Sequence, residues 1–277
     1  MLKNYNQAPL PFQGQKRRFI REFKEAIKGF NDVQIVVDLF GGSGLLSHAA
    51  KEVFPNARVI YNDYDDYHKR LATIPQTNAI LADIRKLLKD YHNKERIPSE
   101  VKQKVLDRVR KEEGYVDYIT LSSSLLFSMN YACSYEAFAK ENFYSKVRMT
   151  DYDLCEDYLQ GVEVVKHDYR ILFERYRMYP DVVFIVDPPY LSTDVGTYSN
   201  NYWRLSNYLD ILGTLRNTSY FYFTSNKSSI VELFEWLENN TEINSPFRGA
   251  TIKTTTNQLT YNAGYVDIML YKEKNLQ

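Results

Sequence analysis

The residues best placed to do chemistry are Asp187-Pro188-Pro189-Tyr190, which follow directly on the apolar run Val182 to Val186. That tetrapeptide arises by chance on the order of once in a thousand chains of this length. Its position, at the end of a strand apolar on both faces, is where α/β folds keep their ligands. Asp187 offers a carboxylate, and consecutive prolines fix φ and remove two backbone donors, so the Pro188 carbonyl becomes a second acceptor with little freedom to move. Two fixed acceptors suit the two hydrogens of an aromatic amine. The lone pair of such an amine is delocalised into its ring, and acceptors aimed at its hydrogens favour the positive charge that builds as the nitrogen attacks an electrophile. Pro189 stiffens the turn, and Tyr190 supplies a flat face for stacking.

A second constellation begins at Asp38, where the run Gln34 to Asp38 passes through Leu39 and Phe40 into Gly41-Gly42-Ser43-Gly44, followed by a helix-compatible stretch from Leu45 to Phe54. Glycines at a strand-to-helix turn let a ligand approach the backbone closely. Asp63 closes the next apolar run, 19 residues beyond Gly44, where a carboxylate can accept from ribose hydroxyls. These features fit NAD, FAD, a nucleotide or S-adenosylmethionine, and do not choose among them. The tetrapeptide tips the balance toward methyl transfer, since a hydride-transferring oxidoreductase gains nothing from it. Methyl transfer to an amine uses both constellations.

The elements that must position these groups follow from periodicity. Short β-branched runs at 34–38, 57–61, 162–166, 181–186 and 220–224 alternate with helical stretches, the pattern of a parallel sheet covered on both faces. Two more runs, 250–256 and 265–271, predict a hairpin at one edge. About a hundred residues separate the second and third runs, far more than one crossover needs. A mainly helical module is therefore expected from 85 to 160, with 1–84 and 161–277 forming the catalytic domain. Within the module, 99–111 sets Val101, Val105 and Val109 on one helical face, and Ser122 to Lys146 is helix-compatible.

Composition narrows the classes further. With 44% hydrophobic and 25% charged residues the chain reads as an ordinary soluble globular protein. No run is long enough to span a bilayer, and Met1 to Tyr5 lacks the apolar core of a secretory signal, so a cytoplasmic location is expected. The 35 basic and 35 acidic residues cancel, which excludes a broadly basic surface and leaves local patches such as Lys16, Arg17, Arg18, Arg21 and Lys24 to meet any polyanion. Cys133 and Cys155 form no C-x-x-C pair, and His48, His68, His92 and His167 lack ligand spacing, so no metal site is expected.

In order and content these motifs resemble the DNA adenine methylase (Dam) family, in which the cofactor motifs come first, a target-recognition insertion follows and DPPY comes late. Pro11-Phe12-Gln13-Gly14-Gln15-Lys16 looks like the family's W-x-G-G-K segment, with Phe12 in place of Trp and Gln15 in place of Gly. The resemblance makes Phe12, Gly14 and Lys16 contacts to the methionine end of S-adenosylmethionine. Asp38, Phe40, Gly41, Gly42, Ser43 and Gly44 correspond to its glycine motif, and Asp63 to its ribose acid. His167-Asp168-Tyr169 resembles the motif whose acid holds the cofactor's adenine. Thr224-Ser225-Asn226 and the closing strands fit as well.

The resemblance implies a class I, Rossmann-like α/β fold: a mostly parallel seven-stranded sheet with a C-terminal antiparallel hairpin and an inserted helical module. It implies transfer of a methyl group from S-adenosylmethionine to N6 of adenine in double-stranded DNA, leaving S-adenosylhomocysteine. A base within a duplex reaches such a pocket only when flipped out, and Tyr198, Tyr202 and Trp203 are candidates to close over it, although a chain with 24 tyrosines offers ordinary packing as the competing reading. Tyr144, Lys146 and Arg148 are candidate DNA contacts in the insertion. The Asn, Gly and Arg pattern of GATC-reading members does not occur between 120 and 150, so no recognition sequence follows. A monomer or weak dimer is expected, with a cognate restriction endonuclease as a candidate partner. Transfer to RNA adenine, to a cytosine amine or to a glutamine amide shares the same chemistry, and a nucleotide-dependent oxidoreductase and a catalytically silent DNA-binding module stay open as alternatives.

Overall fold

The computed structural model describes residues 4–127, 130–189, 205–240, 245–260 and 263–274. The apolar runs become the centre of a sheet: β1 (Ile35–Asp38), β2 (Arg58–Asn62), β4 (Val182–Val186) and β5 (Ser219–Ser225), with β3 (Val162–Val165) at one edge. Every residue of β1, β4 and β5 is buried, as continuous apolar runs covered on both faces require. At the other edge β6 (Thr251–Thr260) and β7 (Ala263–Lys272) form the expected hairpin, and β7 pairs antiparallel with β5. The order is β3-β2-β1-β4-β5-β7-β6, parallel from β3 through β5.

Alternation along each strand divides the core in two. Val36, Val59, Val183, Ile185, Phe221 and Phe223 face α1 (Ile20–Lys28) and α2 (Leu45–Val53). Val37, Ile60, Phe184, Val186, Tyr220 and Tyr222 face α8 (Tyr169–Tyr176), α9 (Leu205–Leu215) and α10 (Ile230–Asn239). Strand order reverses between β1 and β4, so their carboxyl ends flank a crevice at the switch point.

Between β2 and β3 the chain runs through α3 (Tyr67–Ala72), α4 (Ile74–Leu87), α5 (Ser99–Arg110), α6 (Tyr118–Leu125) and α7 (Tyr135–Lys140). These helices have an apolar cluster of their own, built from Ile80, Leu81 and Ile84 with Val105, Val109, Leu121, Leu125, Phe138 and Phe143. Val101 packs against it from the side, completing the predicted α5 stripe. The helix-compatible stretch 122–146 holds the end of α6 and the whole of α7. Leu126 adopts an extended conformation after α6, and Ser134 starts α7 afresh by accepting from the Ala137 amide at 3.2 Å. Among the described residues no helix is long and apolar enough to cross a membrane.

Candidate active site

The ends of β1 and β4 bring the two constellations together. Asp38 pairs in register with Ile185, and the Leu39 amide donates to the Ile185 carbonyl at 3.0 Å, so the glycine turn and Asp187 leave the sheet side by side. One cleft is lined by Phe12, Gly14 and Lys16 from the N-terminal segment and by Asp187 from β4. Phe40, Gly41, Gly42 and Ser43 line it from the β1 side, with Leu45 and Leu46 of α2. The segment from Phe12 to Lys16 thus meets the glycine turn and Asp187 in one place.

Lys16 donates to Asp187 Oδ2 at 2.5 Å and to the Gly14 carbonyl at 2.8 Å. Its side chain is 7% exposed and that of Asp187 17%, so the carboxylate is sheltered yet reachable. Burial pushes the Asp187 carboxyl up from its ordinary value, and the Lys16 ammonium opposes that shift. At the far side of the turn the Tyr208 hydroxyl of α9 donates to the Pro189 carbonyl. Nothing in the sequence sets Tyr208 apart from the other tyrosines; its role comes from the packing of α9 against the β4 tip.

Asp38 is 1% exposed, and burial raises its carboxyl to about 7, with Asp187 nearby adding to the shift. Ser47 donates to Oδ2 at 2.6 Å, whereas Oδ1 has no hydrogen-bond partner among the described residues. The turn itself is tightly dressed. A Cβ on Gly41 would lie 2.1 Å from the Tyr61 ring, and Gly42 has φ +51° with Phe12 in contact, so neither position takes a side chain without displacement. Tyr61 donates to the Gly42 carbonyl at 2.7 Å and Tyr158 to the Ser43 carbonyl at 3.0 Å. Gly44 starts α2 in the left-handed region.

The other predicted cofactor residues lie along the adjoining strand ends. Asp63 is 1% exposed, and both its oxygens accept hydrogen bonds: Oδ1 from the Tyr67 amide at 2.7 Å, Oδ2 from the His68 amide at 2.8 Å and the His68 ring at 2.5 Å. Asp168 caps α8 by accepting from the Arg170 amide at 2.8 Å and is exposed. Tyr169 is buried, with its ring centroid 5.0 Å from that of Phe40, which ties this end to the cleft. Asn62, the last residue of β2, stitches the three strand ends: it donates to the Leu39 and His167 carbonyls and accepts from the His167 amide.

In the insertion the three candidate DNA contacts differ. Tyr144 is half-buried, edge-on to Phe127, which is 65% exposed. Lys146 donates to the Leu126 carbonyl at 2.9 Å, and burial followed by the nearby Lys94 lowers its pKa. Arg148 is exposed, its guanidinium 4.0 Å over the Tyr152 ring. Tyr190, Tyr198, Tyr202 and Trp203 lie outside the described residues.

A parallel sheet in this order, closed by an antiparallel hairpin and carrying a cleft at its switch point, defines an α/β methyltransferase of the Rossmann-like kind. Residues 12–245 match the model of the D12 class N6 adenine-specific DNA methyltransferases, and the chain belongs to that family. A protein of Haemophilus influenzae (strain Rd) described as "Putative methyltransferase" is 34% identical over 280 residues, spanning 98% of this chain and 93% of its own length. Among solved structures, the precorrin-6y C5,15-methyltransferase of Geobacter metallireducens GS-15 aligns at 12% identity and a TM-score of 0.33, over 94% of this chain and 89% of that one. So loose a likeness adds nothing to what strand order already establishes.

Proposed function

We propose that this chain methylates N6 of adenine in double-stranded DNA, taking the methyl group from S-adenosylmethionine. The observation that carries the reading is the single cleft shared by Asp187, the glycine turn and the Phe12 to Lys16 segment. The residues fit the cofactor. Phe12, Phe40, Leu45 and Leu46 offer apolar surface, while Asp38 Oδ1 is a buried acceptor without a partner among the described residues. Asp38 does not itself line the cleft; its second oxygen, at the base of the glycine turn, is the proposed acceptor for a cationic donor such as an amino acid's ammonium group. Asp63, Asp168 and Tyr169, at the neighbouring strand ends, are the proposed adenosine side of the site.

When bound, the cofactor supplies an electrophilic methyl group on a sulfonium and departs as S-adenosylhomocysteine. The chain's own part is positioning and electrostatics. Asp187 accepts one amine hydrogen and the Pro188 carbonyl the other, drawing the N6 lone pair away from the ring as the new C–N bond forms. Asp187 is then the nearest acceptor for the proton the nitrogen sheds. It must be ionised for both tasks; burial raises its pKa, and the Lys16 ammonium at Oδ2 opposes that rise. Because Lys16 holds Oδ2, the amine takes Oδ1 or Lys16 turns away when substrate arrives. Tyr208 holds the turn by its bond to Pro189. Tyr190, with Tyr198, Tyr202 and Trp203, is proposed to enclose the flipped base. The stretch 85–160 is proposed as the target-recognition domain, with Tyr144, Lys146 and Arg148 toward DNA, in a cytoplasmic monomer or weak dimer.

Expression in a host lacking adenine methylation, followed by sequencing of its genome for modified bases, tests the reading. N6-methyladenine at a defined motif is the expected result. Modified cytosine, or methylated RNA with unmodified DNA, would replace the proposed acceptor; no modification of any nucleic acid would remove it.

A further inference from the structure

Arg70 is among the largest fully buried side chains of the protein, and nothing in the chemistry above uses it. It lies on α3 and joins three segments far apart in sequence. Its Nε donates to Asp117 Oδ1 at 3.0 Å, and its terminal nitrogen donates to the Thr120 hydroxyl at 3.1 Å and to the Pro11 carbonyl at 2.7 Å. The side chains of the pair are 2% and 0% exposed. Pro11 immediately precedes Phe12, the cleft wall. Asp117 caps α6 of the insertion, accepting from the Thr120 amide at 3.0 Å. Tyr67, one turn earlier on α3, clasps the same N-terminal segment: its hydroxyl exchanges hydrogen bonds with Leu10 and its ring meets Phe12 edge-on at 5.7 Å.

A buried ion pair is weak evidence for stability, because apolar residues of similar volume often serve the fold as well or better. What this one adds is geometry. A planar guanidinium with several fixed donors holds its partners in one relative arrangement. A displacement of the Phe12 wall moves the Pro11 carbonyl, and the same side chain passes that displacement to the first turn of α6.

We infer that Arg70 is a positioning residue that links occupancy of the cofactor cleft to the orientation of the insertion, so that cofactor and DNA each strengthen binding of the other. This rests on the function proposed above. Linkage is reciprocal, so the factor by which S-adenosylhomocysteine tightens DNA must equal the factor by which DNA tightens S-adenosylhomocysteine.

The test uses the full chain, S-adenosylhomocysteine by calorimetry, and unmethylated genomic DNA fragments by filter binding, each alone and with the other at saturation. In the native protein the two factors should agree at about fivefold or more. Arg70→Met combined with Asp117→Asn removes both charges while Asn keeps the cap. It should bring the factor to about one, with S-adenosylhomocysteine affinity in the absence of DNA nearly unchanged. Arg70→Lys keeps a charge against Asp117 but cannot span three partners, and should restore the melting temperature without restoring the factor. A native factor of one, or an undiminished factor in a folded double variant, overturns the inference. Should the double variant not fold, an undiminished factor in Arg70→Lys does the same. Methylation of those fragments by the native protein is measured alongside, so that a chain that methylates DNA without coupling refutes the linkage alone. A chain that neither methylates nor binds DNA refutes the proposed function and the inference with it.

Discussion

Asp38 and Asp63 end adjacent parallel strands, each 1% exposed, and their bonding states are opposite. Asp63 has both oxygens engaged by the first turn of α3, whereas Asp38 keeps one oxygen without a partner among the described residues and its carboxyl is pushed up to about 7 by burial. In sequence the two look alike, an acid closing an apolar run. The contrast teaches that a strand-end acid can be spent wholly on anchoring the following helix or can keep part of its bonding capacity in reserve. Asp63 does the first, and any ribose meets it on top of bonds it already makes.

The strongest way to break this contrast is Asp63→Ala. Hydrogen bonds from backbone amides to a buried carboxylate contribute about 1.5–3 kcal/mol each, so removing the acceptor of the Tyr67 and His68 amides should destabilise the fold by about 3 kcal/mol or more in a denaturant titration and weaken cofactor binding as well. Loss of cofactor affinity with unchanged stability would make Asp63 a ligand residue alone.

Asp38→Asn should act in the other direction. In the fold Asp38 keeps its proton up to about pH 7, whereas the unfolded chain releases it near 3.8. As pH rises between those values the unfolded state sheds the proton first, so this group lowers stability progressively and the whole penalty stands above pH 7. The Asn variant, free of that penalty, should be more stable than the native ligand-free protein by on the order of a few kcal/mol at pH 8, with little difference at pH 4. It should bind S-adenosylmethionine more weakly at pH 8. Equal pH dependence of stability in both proteins would contradict the assigned state of Asp38.

Lys16→Met sharpens the comparison at the third carboxylate. Without the ammonium, burial and the nearby Asp267 raise the Asp187 carboxyl unopposed, and the acid limb of the pH–rate profile should move to higher pH. Each unit of that displacement costs about tenfold in ionised carboxylate below the midpoint. An unmoved limb would mean that Lys16 serves the cofactor alone, as the family resemblance implies.

The smallest effect belongs to the insertion. Arg148→Ala, at an exposed side chain lying over Tyr152, should weaken DNA binding by less than about tenfold across all sequences and reduce the salt slope by about one, as loss of a phosphate contact does. Relaxed preference at one base position would instead make Arg148 a reader of sequence.

The parts of the site legible in sequence are those written locally. The runs ending at Asp38, Asp63 and Asp187 carry their own periodicity, and the glycines of the turn are demanded by backbone conformation and by the Tyr61 ring, which no neighbouring residue type disguises. The illegible parts are contacts made across the fold. Tyr208 on Pro189, Asn62 across three strand ends and Arg70 against Asp117 join residues separated by anything from 19 to 105 positions, and periodicity says nothing about such pairs. The break within the helix-compatible stretch 122–146 is hidden for a related reason. The aromatic and apolar residues there pack into a tertiary cluster, and Leu126 and Ser134 interrupt the backbone in a stretch whose composition alone reads as helix.

The central claim is that Asp187 grips the acceptor amine and does not hold the cofactor. Single-turnover methyl transfer to DNA and cofactor affinity by calorimetry, measured together on Asp187→Ala, test it most directly. The account predicts a fall in transfer of about 10²–10³-fold or more, the scale seen when one fixed group facing a developing charge is removed, with S-adenosylmethionine affinity close to native. Near-native transfer, or transfer lost only in step with cofactor binding, would contradict it.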